Sequence, residues 1–373
     1  MQSGKKNKLL VICPHPENMA PGQRLKYEQY FGYFRENGFE VEVRPFMSTR
    51  FQNIVYKKGY LIEKIFWTLT GYFKRFSQLF ILRKYDIVYI FLWVTPFGPP
   101  FFEWLYRKIS KKIIYDIDDL VYLPSSKSKA NGFISGIKGK NKPIFLMKNS
   151  EHVITCTPYL DAFVRRFNNT TTDISSTIDT EKYRPKQDYT ITGRKVILGW
   201  SGSHSTSKYL HLLEPVFFSL KENNIPFKLL VMGDPDFSID GIETEALPWK
   251  ASYEIETINR FDIGLYPLPD EEWVYGKSGL KALQYMAAGI PTIASAIGTN
   301  FRIIKNGETG FIAATNEEWL NYLKQLIADK DLRKEIGHSG AALVEEKFSI
   351  NANRDIYLKI LQSTIQHADK ISA

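Results

Sequence analysis

Short apolar runs recur along the chain, and most are followed by a stretch with helical spacing. This alternation limits the possible folds more than any other feature. The first series opens at residues 9–13 and continues through the alternating Phe39, Val41 and Val43, then 87–92, 112–117 and 152–156. The second opens at 196–200 and runs through 228–232, 262–267, 291–294 and 310–314. Runs this short and apolar read as strands buried on both faces. Helical spacing falls between them at 206–221, 278–287 and 317–328. Such alternation builds parallel sheets. The 373 residues exceed what one core commonly supports. Two series joined near 179–193 therefore predict an α/β chain of two doubly wound domains, 1–185 and 186–350. A last helix, 351–373, is expected to pack back on the first.

Charge separates the halves. Residues 1–185 carry a net charge of +13 and residues 186–373 one of −4, so the basic half is the one expected to meet an anion. Part of the excess lies in 57–84, where Lys57, Lys58, Lys64, Lys74, Arg75, Arg83 and Lys84 oppose only Glu63. Ile62, Ile65, Phe66, Leu69, Phe73, Phe76 and Phe80 recur there at helical spacing. Two readings fit: a domain helix with its apolar face on the core, or a basic amphipathic helix on an anionic membrane. No run reaches the length of a membrane span, and no cleavable leader is seen, so a cytoplasmic protein is expected. Cys13 and Cys156 make no disulfide framework.

Several activities lack their motifs. No Gly-x-Gly-x-x-Gly follows either first strand, no Walker loop is present, and neither zinc-ligand spacing nor a nucleophile elbow occurs. What remains is 266–295, YPLPDEEWVYGKSGLKALQYMAAGIPTIAS. A strand ends there, an acidic loop follows, and a helix begins near Ser278 with Lys277 at its start. Open parallel sheets bind ligands at the carboxyl ends of their strands, and a helix N-terminus there suits a phosphate. Asp270, Glu271 and Glu272 are placed to hold sugar hydroxyls.

This segment resembles the donor-binding motif of glycosyltransferase family 4, the group 1 glycosyltransferases, which are retaining enzymes with two Rossmann-like domains facing across a cleft (the GT-B fold). The family's two glutamates fall at positions occupied here by Gly276 and Gln284. Gln284 can still meet a ribose hydroxyl, whereas Gly276 cannot hold a sugar, which moves that contact to Asp270 or Glu272. In GWSGSHSTSKYLHLL, Gly202 and Lys208 match the family's diphosphate turn, with Ser203 in place of its arginine. Gly298, Thr299 and Asn300 resemble its second glycine turn, and Trp249 stands where it holds the nucleobase.

In YDIDDLVY, Asp118 takes the position of a family histidine that points at the donor sugar. The resemblance thus makes Asp118, Asp119 and Asp270 the candidate catalytic carboxylates. Asp116 and Asp118 also fit the Asp-x-Asp metal motif of GT-A enzymes. In PENMAPGQRLKYEQY, the resemblance implies Gly22 beside the diphosphate and Arg24 and Lys26 toward the acceptor, with His15 a loop residue. It implies a nucleotide diphosphate sugar on the C-terminal domain, an acceptor on the N-terminal one, and leaving-group stabilisation by helix termini and lysines without a metal. The basic N-terminal half suits a lipid diphosphate-linked glycan at the inner membrane face, in bacterial surface polysaccharide synthesis. A non-catalytic GT-B subunit and a nucleotide-sugar epimerase stay open as alternatives. No nucleic-acid partner is expected.

Overall fold

The computed structural model describes residues 6–55, 57–122, 141–191 and 193–366. Most of the Ser/Lys-rich stretch at 125–145 lies outside them. The chain divides into two units, Met1–Ser176 with Asn353–Ala373, and Thr177–Ala352.

In the first unit six strands form one sheet: β1 (Asn7–Cys13), β2 (Phe39–Pro45), β3 (Ile87–Phe91), β4 (Ile113–Asp116), β5 (His152–Thr155) and β6 (Thr171–Asp173). Their order is β2-β1-β3-β4-β5-β6, and every pair is parallel. β3 and β4 are buried along their whole length, as apolar runs in a sheet covered on both faces require. The helix Ile350–Gln366 lays Tyr357 against Tyr30, with ring centroids 4.6 Å apart.

The second unit repeats the plan with β7 (Val196–Ser201), β8 (Phe227–Met232), β9 (Thr244–Leu247), β10 (Ile263–Tyr266), β11 (Thr292–Ser295) and β12 (Phe311–Ala313). The order is β12-β11-β10-β7-β8-β9, again all parallel. Alternate residues feed two cores. Leu198, Trp200, Leu229, Val231 and Leu265 pack with Phe217, Trp319 and Leu323 on one face. Leu230, Met232 and Tyr266 pack with Leu283, Tyr285 and Phe348 on the other. The helix Asn316–Ala328 begins at a capping box, Thr315 with Glu318.

The boundary falls at 176/177, earlier than the expected 185. Ile178 and Tyr183 belong to the second core, and the Ile178 backbone donates to Phe348 O at 2.8 Å and accepts from Ile350 N at 3.1 Å. These bonds hold the connecting segment to the C-terminal unit.

The helix Leu61–Gln78 is built inside out. Its apolar stripe does not face the core: Ile62 is 83% exposed, Phe73 72% and Phe80, just beyond its end, 76%. The inner face is Gly71, Arg75 and Gln78. A Cβ on Gly71 would sit 2.4 Å from the Phe46 ring, so only glycine permits this approach. Arg75 is not part of the basic surface. It is buried and donates to Cys13 O at 2.9 Å, Arg44 O at 2.8 Å and Val94 O at 2.8 Å. Those carbonyls end β1, nearly end β2, and follow β3, so one guanidinium ties the helix across the carboxyl edge of the sheet. No described helix is long and apolar enough to cross a membrane.

Candidate functional site

In the second unit the strand order reverses between β7 and β10, which marks the crevice where open α/β sheets bind ligands. The loops leaving these two strands carry Gly202, Ser203 and Lys208 on one side and Asp270, Glu272 and Lys277 on the other. After β7 the chain turns at Gly202. A Cβ there would lie 2.2 Å from the Trp200 ring and 2.5 Å from Lys281 Nζ, so glycine is needed for the approach. Ser203 closes the turn with Ser205, Oγ to Oγ at 2.9 Å. Asp234, after β8, braces the turn from below: His204 Nδ1 lies 2.9 Å from it and Ser207 Oγ donates to it. Burial opposes the Asp234 charge, but the Ser207 and His204 hydrogen bonds outweigh it and hold the carboxyl below its usual range.

Three lysines converge on this crevice. Lys208 lies over the Tyr209 ring at 5.2 Å, Tyr209 stacks on Trp273 at 5.7 Å, and Lys277 lies over Trp273 at 5.5 Å. Both expected lysines thus flank one aromatic pair. The third, Lys281, escapes a reading by sequence motif. It sits in the first turn of the helix Leu280–Ala287, with Nζ 4.5 Å above the Trp200 ring. It donates to Thr206 Oγ1 at 3.3 Å, and among the described residues no carboxylate pairs with it. Burial, with the charge of Lys277, pulls its ammonium down to about 7. A lysine that is costly to charge and lacks a counter-ion is set to receive an anion. Its only signal in the sequence is its place four residues after Lys277, at the start of the helix that follows.

Gly298 and Thr299 follow β11. Gly298 adopts φ +58°, and a Cβ on it would meet Val274 O at 3.3 Å, so this turn packs against the 272–276 turn that carries Trp273. Asn300 donates to Ser295 O at 2.9 Å, fixing the turn. Asp270 and Glu272 are exposed on the loop after β10. Gln284 is a correction. It is buried, and its amide donates to Tyr183 OH at 2.7 Å, so it does not present itself to a ribose. Tyr183 OH in turn donates to Glu254 at 3.2 Å, and Trp249 Nε1 donates to the other Glu254 oxygen at 2.8 Å. Trp249 and Gln284 are therefore joined through Glu254 in one network, with Trp249 half-buried at its outer end.

In the first unit, Gly22 and Arg24 share the short helix Pro21–Arg24. Gly22 lies against Asp118: a Cβ on it would be 3.4 Å from Asp118 Oδ2. Asp118 and Asp119 are half-buried beyond the end of β4, and Asp119 holds φ +60°, a conformation aspartate tolerates better than most residues. Lys26 is the second correction. It is fully buried, with Nζ 2.6 Å from Asp116 Oδ1 and 3.2 Å from Ile117 O. Asp116 also accepts from Tyr89 OH. Burial drives both partners toward neutrality, raising Asp116 and opposing the Lys26 charge, while the short contact favours the charged pair. The geometry supports the ion pair. Lys26 thus balances a buried strand carboxylate instead of meeting an acceptor, and Asp116 is not free for an Asp-x-Asp metal pair.

The family model described as "Glycosyl transferases group 1" matches residues 269–342, which contain the lysine-bearing loop and helix. The capsular polysaccharide biosynthesis glycosyltransferase CapM of Staphylococcus aureus is 27% identical over 165 residues, 41% of this chain and 42% of that protein. The aligned stretch thus spans about two fifths of that curated relative. Sucrose-phosphate synthase of Thermosynechococcus elongatus superposes with a TM-score of 0.71 at 17% identity, over 97% of this chain and 100% of that one. A glycosyltransferase of Rickettsia africae gives 0.67 at 15% identity, over 97% and 99%. HepE of Anabaena, solved in complex with UDP and glucose, gives 0.62 at 13% identity, over 96% and 100%. Through the match at 269–342 and a fold shared along nearly the whole chain, this protein is similar to the group 1 glycosyltransferases of GT-B fold.

Proposed function

We propose that the chain is a glycosyltransferase that moves a hexosyl unit from a nucleotide diphosphate sugar to a glycan or a lipid diphosphate-linked glycan. Lys281 carries this reading. A half-buried lysine with no carboxylate partner among the described residues, beside Lys277 and over a glycine turn at the switch point, fits a diphosphate. Lys208 and Lys277 add charge around the Tyr209–Trp273 pair, which offers a flat apolar surface to a base or sugar. These cations would stabilise the leaving diphosphate as it departs, without a metal. The acceptor falls to the first unit, to Arg24, which lies at the carboxyl edge of the sheet with Gly22, read as a neighbour of the diphosphate, and the candidate catalytic Asp118 and Asp119. Retention of configuration, a place in bacterial surface polysaccharide synthesis and a cytoplasmic site at the inner membrane face belong to the same reading. They are supported by the family match and the capsule-synthesis relative.

The test is a thermal-shift panel of UDP, dTDP, GDP and ADP, followed by turnover of the matching nucleotide sugar. A ligand at 100-fold its Kd should stabilise by roughly 2.7 kcal/mol. No response to any nucleotide would overturn the donor site. A second reading, a non-catalytic GT-B subunit, is favoured by Gly276 and by the engagement of Gln284 with Tyr183 where the family has glutamates. Nucleotide binding without turnover of any nucleotide sugar would favour it.

A further inference from the structure

We infer that the outer face of the helix Leu61–Gln78, with the adjoining Phe97, Phe101 and Trp104, is a surface that inserts into an anionic lipid bilayer. This deepens the membrane-face part of the proposed function. The surface itself is read from exposure and charge, independently of any sugar chemistry. Ile62, Ile65, Phe66, Leu69, Phe73, Phe76 and Phe80 form one stripe, and all are exposed. A helix of a soluble domain turns such a stripe inward. Here the inner side is filled by Gly71, Arg75 and Gln78, so turning the stripe inward would break the three carbonyl bonds of Arg75 and the close approach of Gly71 to Phe46.

A second element extends the face. Tyr72, at the edge of the stripe, packs on Phe102 at 5.7 Å, and its hydroxyl donates to Phe97 O at 2.8 Å. This fixes the segment at 97–104 beside the helix. Phe101 and Trp104 stack there with centroids 6.3 Å apart, both exposed. Contiguous exposed apolar surface of this kind marks an interaction site.

Charge selects the occupant. Lys57 and Lys58 lie at one end of the stripe, Arg83 and Lys84 at the other, and Lys108 follows Trp104 by one helical turn, all exposed. The one nearby acid on the helix, Glu63, is paired with Arg50 at 3.1 Å. A second copy docked in either orientation would bring basic ends together. Anionic headgroups instead meet basic residues at both ends while the aromatic row enters the acyl boundary. The Arg75 clasp gives the docking a use. It ties the helix to the carboxyl ends of β1 and β2, so insertion sets that sheet edge at the headgroup level, within reach of a lipid-borne acceptor.

The test is binding of the full chain to phosphatidylcholine vesicles with and without phosphatidylglycerol, by sedimentation and by the tryptophan emission shift. The expected result is binding to the anionic vesicles, weaker on neutral ones and several-fold weaker in high salt. Ile62→Ser, Phe66→Ser and Phe73→Ser together should remove it, since each apolar side chain withdrawn costs roughly tenfold. Lys57→Glu, Lys58→Glu, Arg83→Glu and Lys84→Glu should abolish the preference for anionic lipid. Both variants should keep the wild-type melting temperature and UDP response, because none of these residues lies in the core or the donor site. Trp104→Phe should lose the part of the emission shift that reports insertion. Wild-type protein that ignores anionic vesicles at low salt overturns the proposal. So does a dimer in solution that the serine variant converts to monomer while vesicle binding stays absent. A failed nucleotide panel with intact vesicle binding would overturn the donor site and leave the lipid surface standing.

Discussion

Replacing Lys281 by methionine should stabilise the free protein and weaken nucleotide binding, opposite effects from one side chain. The folded protein depresses this lysine from 10.5 to about 7. Between those values the unfolded chain binds the extra proton, so its depressed pKa costs stability, fully below pH 7, and the cost fades as pH rises toward 10.5. At about 1.4 kcal/mol per pH unit, the bound on that cost is roughly 5 kcal/mol. Losing the cation above Trp200 subtracts about 1–2 kcal/mol, leaving a gain of a few kcal/mol at pH 6 and less at pH 9. A diphosphate reverses the balance, because it pays for charging the ammonium. Lys281→Met should therefore lose about 1.5–3 kcal/mol of nucleoside diphosphate affinity, the range of a charged hydrogen bond. In the wild type, affinity should fall by up to about tenfold per pH unit above 7, and binding near pH 8 should take up a proton. Denaturant melts at pH 6 and 9 give the stability arm, and calorimetry in buffers of different ionisation enthalpy gives the proton. A variant that binds UDP as tightly as the wild type, or that is less stable at pH 6, refutes the reasoning.

Lys26→Met should destabilise the first unit by about 3–5 kcal/mol, because it strands the buried Asp116; adding Asp116→Leu should recover most of the loss in denaturant midpoint. Gly202→Ala forces a Cβ into the Trp200 ring and Lys281 Nζ, so a loss of about 1–3 kcal/mol in stability and of the UDP thermal shift is expected. Turnover should persist in excess EDTA; loss that Mn²⁺ restores would show that the lysines do not suffice for the leaving diphosphate.

The strands were legible because parallel strands covered on both faces must be apolar throughout, as β3 and β10 are. β6 and β9 were not, because they are short outer strands, Thr171–Asp173 and Thr244–Leu247, whose partly exposed faces permit polar residues. Gly202 and Lys277 were legible from their place after a strand and before a helix. Lys281 was hidden because a lysine inside a helix reads as solvated; only the tertiary contact with Trp200, separated from it in the chain by β8, β9 and β10, takes it out of water. Gln284 and Lys26 failed for the converse reason. Each is a polar residue at a family position, and its partner, Tyr183 or Asp116, is distant in sequence. The helix Leu61–Gln78 showed its period plainly, but periodicity cannot tell which side faces protein, and the polar clasp of Arg75 decided it.

The helix Ile350–Gln366 begins in the second unit and ends in the first, where Tyr357 closes over Tyr30 and Phe34. The second unit is therefore one unbroken stretch of chain, and the first is not. On a ribosome, residues 177–352 emerge with every strand and helix they need, while the earlier-made first unit waits, its Tyr30 surface bare, until the last helix leaves the tunnel. The order of synthesis and the order of completion are thus reversed, and a chain cut after Ala352 would leave the older unit unfinished and the younger one whole.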